Sequence, residues 1–423
     1  MSGIANFSEY SSRSPIRYLL PIFLMGWIGT TMSFLTPIFN SNTRWLFFLA
    51  LFAFLFTRKN IFRYFDVKLG LILFIYFGWC LLTTGWATVP LLSFIKSSTF
   101  VLITLTLIFA GIEWMKANSW SNSLNYLWML SLIALISAFL GHRSLSVADY
   151  YHGLTIGSNM FGETMFFIFP FFLWKTYKAE KKIKRIGWLI LSLSVFYFVF
   201  LSMSRSSILA VNIILLVFFL SLKLNKKIMF CIASIFIISG IILINPSVLI
   251  QAIEVSKSYI LKGSGQDFSR IFRSRDLAWK LSYEGALEGG WTGLGFGMRW
   301  DWDEDIDVYN SLLSALKNGR EKGNSQLAVV EETGLFGFIL YLVFNIYIIS
   351  KFIKIYIEVK NQEQKVLIGI FASIFVGLIA ISVFEGWWDA PCSPETIYFW
   401  ILVGIIRGVE ISLIHKNNKL RLM

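Results

Sequence analysis

Apolar runs dominate the chain, and they are broken at intervals by short polar stretches. A membrane-crossing helix needs about 20 mostly apolar residues, fewer where neighbours shield it. By that rule about twelve spans are expected, near 16–38, 45–56, 67–84, 94–115, 124–140, 161–174, 186–203, 207–222, 228–244, 327–350, 366–384 and 396–413, the second and sixth being short. The fold class expected is therefore an all-α integral membrane protein. One gap breaks the rhythm, the polar stretch 246–324. Loops beyond about 15 residues are usually functional or disordered, so this stretch is expected to be the working part. The chain then divides into 1–245 with nine spans, 246–324 as a large, partly helical outer loop with amphipathic helices, and 325–423 with three spans.

Orientation follows from the distribution of Lys and Arg, which favour cytoplasmic loops. One set of loops holds Arg13 and Arg17, then Arg58, Lys59 and Arg63, Lys116, the cluster from Lys175 to Arg185, Lys223, Lys226 and Lys227, the run from Lys351 to Lys365, and Lys416, Lys419 and Arg421. The short alternate loops are nearly free of them. Twelve spans satisfy this alternation and an error of one would break it, so both termini are expected in the cytoplasm and the large loop outside.

Composition agrees with the pattern. Of 423 residues 56% are hydrophobic and 17% aromatic, and mean hydropathy is +0.66, whereas a soluble domain is about 45–50% apolar. The net charge of +13 sits in short clusters between spans, which argues against nucleic acid as a partner. Cys80 and Cys231 lie in apolar runs and Cys392 near a span end, so three scattered cysteines give no disulfide framework or thiolate metal site. Arg13 and Arg17 precede an apolar run without a small-residue cleavage site, as expected for a retained first span.

Candidate chemistry gathers on the outer side. Arg205, in Ser202-Met203-Ser204-Arg205-Ser206-Ser207, falls at a sharp outward turn between two spans, against the charge bias and among small hydroxyl residues. It either snorkels to headgroups or meets a ligand. From Arg275 to Leu287 apolar positions interleave with charges, which predicts an amphipathic helix. Arg275 and Trp279, four apart, share one face of it, with an Arg275–Asp276 or Arg275–Glu288 salt bridge as the alternative use of the arginine. Gly293-Leu294-Gly295-Phe296-Gly297 has the look of a phosphate-binding loop, but no strand precedes it, and a tight re-entrant turn is expected instead. In the acidic run with Glu304, Asp301, Asp303, Asp305 and Asp307 alternate, yet Ile306 and Leu312 stand where a calcium loop wants Gly and Glu, so a solvated edge or arginine partners are expected. His142, His152 and His415 offer no metal-ligand spacing.

Four blocks in order resemble the bacterial O-antigen ligase and O-antigen or exopolysaccharide polymerase superfamily: Trp86-Ala87-Thr88-Val89-Pro90; the Arg205 turn; Arg275-Asp276-Leu277-Ala278-Trp279 followed by the glycine block; and Gly323-Asn324-Ser325 leading into Glu332-Thr333-Gly334-Leu335-Phe336-Gly337. The resemblance implies an inner-membrane enzyme that transfers a glycan on the periplasmic face from an undecaprenyl-diphosphate-linked donor to a glycan or lipid-linked glycan acceptor, with no nucleotide sugar, metal or other cofactor. Arg205 and Arg275 match the arginines such enzymes place at the lipid diphosphate, and two permanent cations there would grip a leaving pyrophosphate. Trp279, Asn324, Arg270, Arg273 and Arg299 are further substrate-binding candidates. Ligases commonly carry a His where this chain has Gly323, which favours a polymerase over a ligase acting on lipid A-core. The acceptor's base would then be Glu331 or Glu332, Glu385 or Asp389, Glu163, or His152, and Glu332 and Asp389 are the choices taken here. A carboxylate in an apolar rim suits that role. A non-catalytic transporter of lipid-linked glycan is the alternative of another class. It is disfavoured because the polar mass lies in one outer loop rather than at mid-membrane.

Overall fold

The structure is a computed structural model that describes residues 14–40, 42–58, 61–141, 150–228, 273–300 and 322–421. The predicted span 228–244 and the acidic run 301–307 lie outside these residues, save for Ile228. The described residues are helical: α1 (Ile16–Ile28), α2 (Thr43–Phe56), α3 (Val67–Leu82), α4 (Pro90–Ala117), α5 (Trp128–Leu140), α6 (Ser158–Lys178), α7 (Lys182–Leu201), α8 (Arg205–Ser221), α9 (Arg273–Gly289), α10 (Ser325–Glu358), α11 (Gln362–Ser382) and α12 (Pro394–Arg421). Among them seven stretches are long and apolar enough to cross a membrane: α3 with its short extension to Trp86, α4, 120–140 including α5, α7, α10, α11 and α12 up to Ile414. Helices α2 and α8 are apolar but shorter.

The first apolar run behaves differently from its hydropathy. Helix α1 ends at Ile28, although the run continues to 38. Thr30 and Thr31 turn their hydroxyls back onto the carbonyls of Trp27 and Ile28. Met32 is extended, and residues 31–33 pair with 154–156 through Ile156 N–H to Thr31 O and Ser33 N–H to Leu154 O, at 3.0 and 2.8 Å. An apolar side chain there serves a backbone pairing that hydropathy does not report. Polar local bonding of this kind competes with helix.

Packing between helices relies on small residues where backbones touch. Helix α4 lies against α12, and a methyl group on Gly111 or Gly404 would strike the backbone of the opposite helix. In lipid such close approach, rather than apolar burial, drives association. Helix α3 runs antiparallel to α10 and α12. Near its first residue Lys351 of α10 binds Asp66 at 2.9 Å and Glu410 of α12 at 2.6 Å, and Arg407 joins Glu410 at 2.5 Å. At its other end Trp79 donates its indole N–H to the carbonyl of Thr333 in α10 at 2.7 Å.

The decisive irregularity is in α10, which breaks at Gly334 (φ +71°, ψ 179°). Leu335 and Phe336 no longer donate to Glu331 and Glu332; they donate to the carbonyls of Gly290 and Trp291 at 2.9 and 3.3 Å. The vacated carbonyls of Glu331 and Glu332 accept from Leu294 and Gly295 at 2.8 and 3.0 Å. The segment after α9 is therefore spliced into the broken helix, and α9 packs on α10. The two amides and two carbonyls freed by the break thus find partners within the protein, the condition under which irregular backbone survives at membrane depth.

Replacing Gly334 by Ala forces a left-handed conformation and drives a methyl into the Trp291 carbonyl. The expected loss is about 1–3 kcal/mol from backbone strain, with the collision added. Thermal unfolding in detergent should show a lower Tm for Gly334→Ala, while Gly78→Ala, with open space around it, leaves the Tm in place.

Candidate functional site

Glycines 293, 295 and 297 all have positive φ, at 79°, 108° and 74°. Side chains with a Cβ rarely adopt this conformation. Every amide from Leu294 to Met298 is already bonded within the protein. Leu294 and Gly295 donate to α10, Phe296 to the Thr83 hydroxyl, Gly297 to Glu332 Oε2 at 2.7 Å, and Met298 to Gly295 O. A phosphate cradle needs free N–H groups, and this loop offers none. It is a tight turn, as the absence of a preceding strand predicted.

The carbonyls of the same loop receive cations and hydroxyls. Ser93 donates to Phe296 O, Lys96 Nζ to Gly297 O at 2.8 Å, and Lys322 Nζ to Met298 O at 3.3 Å. Lys322 is the hub of the local electrostatics. It is ion-paired to Glu332, and lies 3.6 Å from Glu331 Oε2 and 3.6 Å from Asp389 Oδ2. Glu331 also accepts from the Trp300 amide at 3.1 Å. Burial alone would lower the Lys322 pKa, but the carboxylates of Glu332, Glu331 and Asp389 overcome it and raise the value above that of an ordinary lysine. Burial likewise pushes Asp389 up, and the Lys322 charge with the Glu332 hydrogen bond brings it below the usual carboxylate value. Lys322 therefore holds its proton, and Asp389 is ionised.

The loop that carries Asp389 is fixed to the start of α10. Asn324 caps α10, accepting from the Leu327 amide at 2.9 Å, and its side-chain amide donates to Val383 O. Ser325 donates to Glu385 O and accepts from the amides of Trp387 and Trp388. The Gly386 amide donates to Lys322 O at 2.8 Å. The Gly323-Asn324-Ser325 block thus positions the 383–389 loop.

These elements enclose one face of a cavity of about 930 Å³, within the upper part of the range for small-molecule sites, roughly 300–1,000 Å³. It is lined by α4, by 156–163 including the start of α6, by the glycine loop, and by 385–395. Of the site residues expected from sequence, Glu332, Asp389 and Arg299 line it, as do the base candidates Glu163 and Glu385. Glu331 and His152 do not; the His152 ring pairs with Thr155 O at 2.9 Å. Trp279 gives its indole N–H to Gly323 O at 3.0 Å, and its ring lies 6.0 Å from Phe384. Trp279 and Asn324 are outside the cavity lining, each bonded to the protein itself. Arg270 and the side chains of Arg273 and Arg275 lie outside the described residues, although α9 forms where the amphipathic pattern placed it.

Arg205 is the first residue of α8, after Met203 in the left-handed region (φ 54°). It does not line the cavity, but its turn adjoins the wall. A Cβ on Gly162 would meet Ser202 Oγ and Ser207 Oγ at 2.9 Å, and the next residue, Glu163, faces the cavity. Two cations of the site, Lys96 and Lys322, escaped the sequence reading. Lys96 interrupts an apolar helix near its first turn, and Lys322 directly precedes Gly323-Asn324-Ser325, signals that would have found them.

Residues 188–342 match the family model described as O-Antigen ligase. The matched stretch holds the Arg205 turn, α9, the glycine loop and the break in α10, and it supports the resemblance to the O-antigen ligase and polymerase superfamily. No curated protein matches the chain.

Lys322→Met leaves Glu331, Glu332 and Asp389 buried without their cation, for which a loss of about 3–5 kcal/mol at neutral pH is expected. The sign follows from the two shifts. Asp389, with its pKa lowered on folding, contributes stability above the ordinary carboxylate pKa of about 3.9, and this is lost as pH falls through the folded value. Lys322, with its pKa raised, contributes below about 10.4 and loses this as pH rises through the folded value. Unfolding scans should show a gap between the two proteins that is wide at pH 7 and narrows below about pH 4 as the carboxylates protonate.

Proposed function

We propose that the chain, whose residues 188–342 carry the O-antigen ligase pattern, is a membrane glycosyltransferase acting as a polysaccharide polymerase on the periplasmic face. An acceptor sugar hydroxyl attacks the anomeric carbon of a glycan held on undecaprenyl diphosphate. The new glycosidic bond forms as the bond to the diphosphate breaks. The hydroxyl proton passes to a carboxylate, and the diphosphate departs with the bonding electron pair. Arg205 and Arg275 bind that diphosphate as it gains charge. Asp389, ionised and facing the cavity, takes the proton. Glu332, held by Lys322 and the Gly297 amide, orients Asp389.

The observation that carries polymerase over ligase is the space at Gly323. A Cβ there would meet Ala278 Cβ at 2.8 Å and Trp279 Cδ1 at 3.0 Å, so an imidazole at this position would displace α9. The ligase histidine has no room, while carboxylates already face the cavity. Enzyme over transporter is supported by the ion pairs Asp66–Lys351–Glu410 and Lys322–Glu332, which sit near the limits of the apolar runs rather than at mid-span.

Three outcomes test this. Purified protein given lipid-linked repeat units alone should yield longer lipid-linked chains; elongation that requires added lipid A-core would return the ligase to first place. Arg205→Ala and Arg275→Ala should each abolish transfer at normal abundance, with Lys restoring little because the planar fork is lost, and Asp389→Asn should slow transfer about 10²–10⁴-fold. A periplasm-active reporter should be active when fused after Ser393 and silent after Lys182, and the reverse pattern would invert the orientation.

A further inference from the structure

Both substrates of a polymerase carry diphosphates, and a second cationic site beside Arg275 would be the simple expectation. The cavity has the opposite character. Glu163, Glu332, Glu385, Asp389 and Glu395 bring five carboxyl groups to its lining, against three cations, Lys96, Arg299 and Lys322. Lys322 is already shared among Glu331, Glu332 and Asp389. A diphosphate placed there would face an excess of like charge in a poorly screened site.

A second observation points to what the cavity does take. Trp387 lines it, is 2% exposed, and leaves its indole N–H without a hydrogen-bond partner. A buried unpaired donor is costly and uncommon, and a ligand oxygen would satisfy it. Trp45, half-buried on another wall, adds an aromatic face. Carboxylates accept hydroxyl protons, an indole N–H donates to a ring or hydroxyl oxygen, and aromatic faces cover the C–H side of a sugar. Resting on the polymerase reading, we propose that this cavity is the subsite for the sugar end of the acceptor, and that it selects a neutral or amino-bearing glycan over one carrying phosphate or carboxylate. The donor diphosphate belongs at the Arg205 turn, which meets α6 at Gly162 beside the cavity-lining Glu163, so that the anomeric carbon it carries reaches the acceptor hydroxyl at the cavity edge. The acceptor hydroxyl then lies within the carboxylate-lined space that deprotonates it.

The test is binding to the full-length protein in detergent, with two probes. One is the free oligosaccharide released by mild acid from the lipid-linked repeat unit of the producing strain, and the other is inorganic pyrophosphate. Calorimetry should show the oligosaccharide binding, pyrophosphate failing to displace it, and Trp387→Phe weakening it about three- to tenfold, the effect of one hydrogen bond. In the elongation assay the same variant should raise the acceptor KM by a similar factor with little change in kcat. If Trp387→Phe does not fold, Glu385→Gln provides the second variant, with weakened oligosaccharide binding expected. Displacement by pyrophosphate, absence of oligosaccharide binding, or unchanged affinity in the folded variants would overturn the subsite. The two proposals fail separately: variant-sensitive oligosaccharide binding without elongation sinks the polymerase reading alone, whereas elongation with variant-insensitive binding sinks the subsite alone.

Discussion

The break in α10 at Gly334 is the constraint on which the cavity end of the molecule depends. A helix interrupted in an apolar setting must have its backbone groups satisfied by protein. Here the residues after α9 do so by exchanging four hydrogen bonds with the broken turn. The exchange fixes the glycine loop against α10, and the loop in turn presents the Gly297 amide to Glu332 and its carbonyls to Lys96 and Lys322. The charges of the site are held where they are because a helix has been cut and rejoined through another segment.

Lys322 carries the electrostatic side of the same design. Three carboxylates within 3.6 Å of one ammonium group would be untenable in a buried rim without it. Their arrangement leaves Asp389 ionised at the edge of an open cavity, and Asn324 and Ser325 lock the loop that bears it. Positioning and charge are thus supplied by neighbouring residues of one short segment, 322–325, before the first turn of α10.

The Arg205 turn and the cavity share a wall but not a lining. Glycine at 162 lets the serine turn come against α6, and Glu163 stands on the cavity side of that contact. A cation-bearing turn at the edge of a carboxylate-lined cavity suits a reaction between a charged leaving group and a hydroxyl nucleophile, which need opposite electrostatic surroundings around one reacting carbon.

Much of the architecture was legible in the chain itself. Hydropathy alone placed α2 through α8, α11 and the starts of α10 and α12 within a few residues, and the amphipathic pattern placed α9, because burial in lipid or against a neighbour is written residue by residue. The same reading gave Glu332, Asp389, Glu163 and Glu385 as outward carboxylates, which the cavity brings together. Tertiary structure decided the rest. Hydropathy ran α1 on to 38 because it does not see Thr31 and Ser33 pairing with 154–156. Trp279 and Asn324 read equally well as ligand contacts or as structural caps until their partners, Gly323 and Val383, were in place. Lys96 and Lys322 drew no notice, since their meaning lies in contacts with residues up to about 200 positions away. The periodicity of a sequence reports which face of an element is apolar; it carries no record of which distant carbonyl or carboxylate an isolated charge will meet, and that pairing is what makes this site.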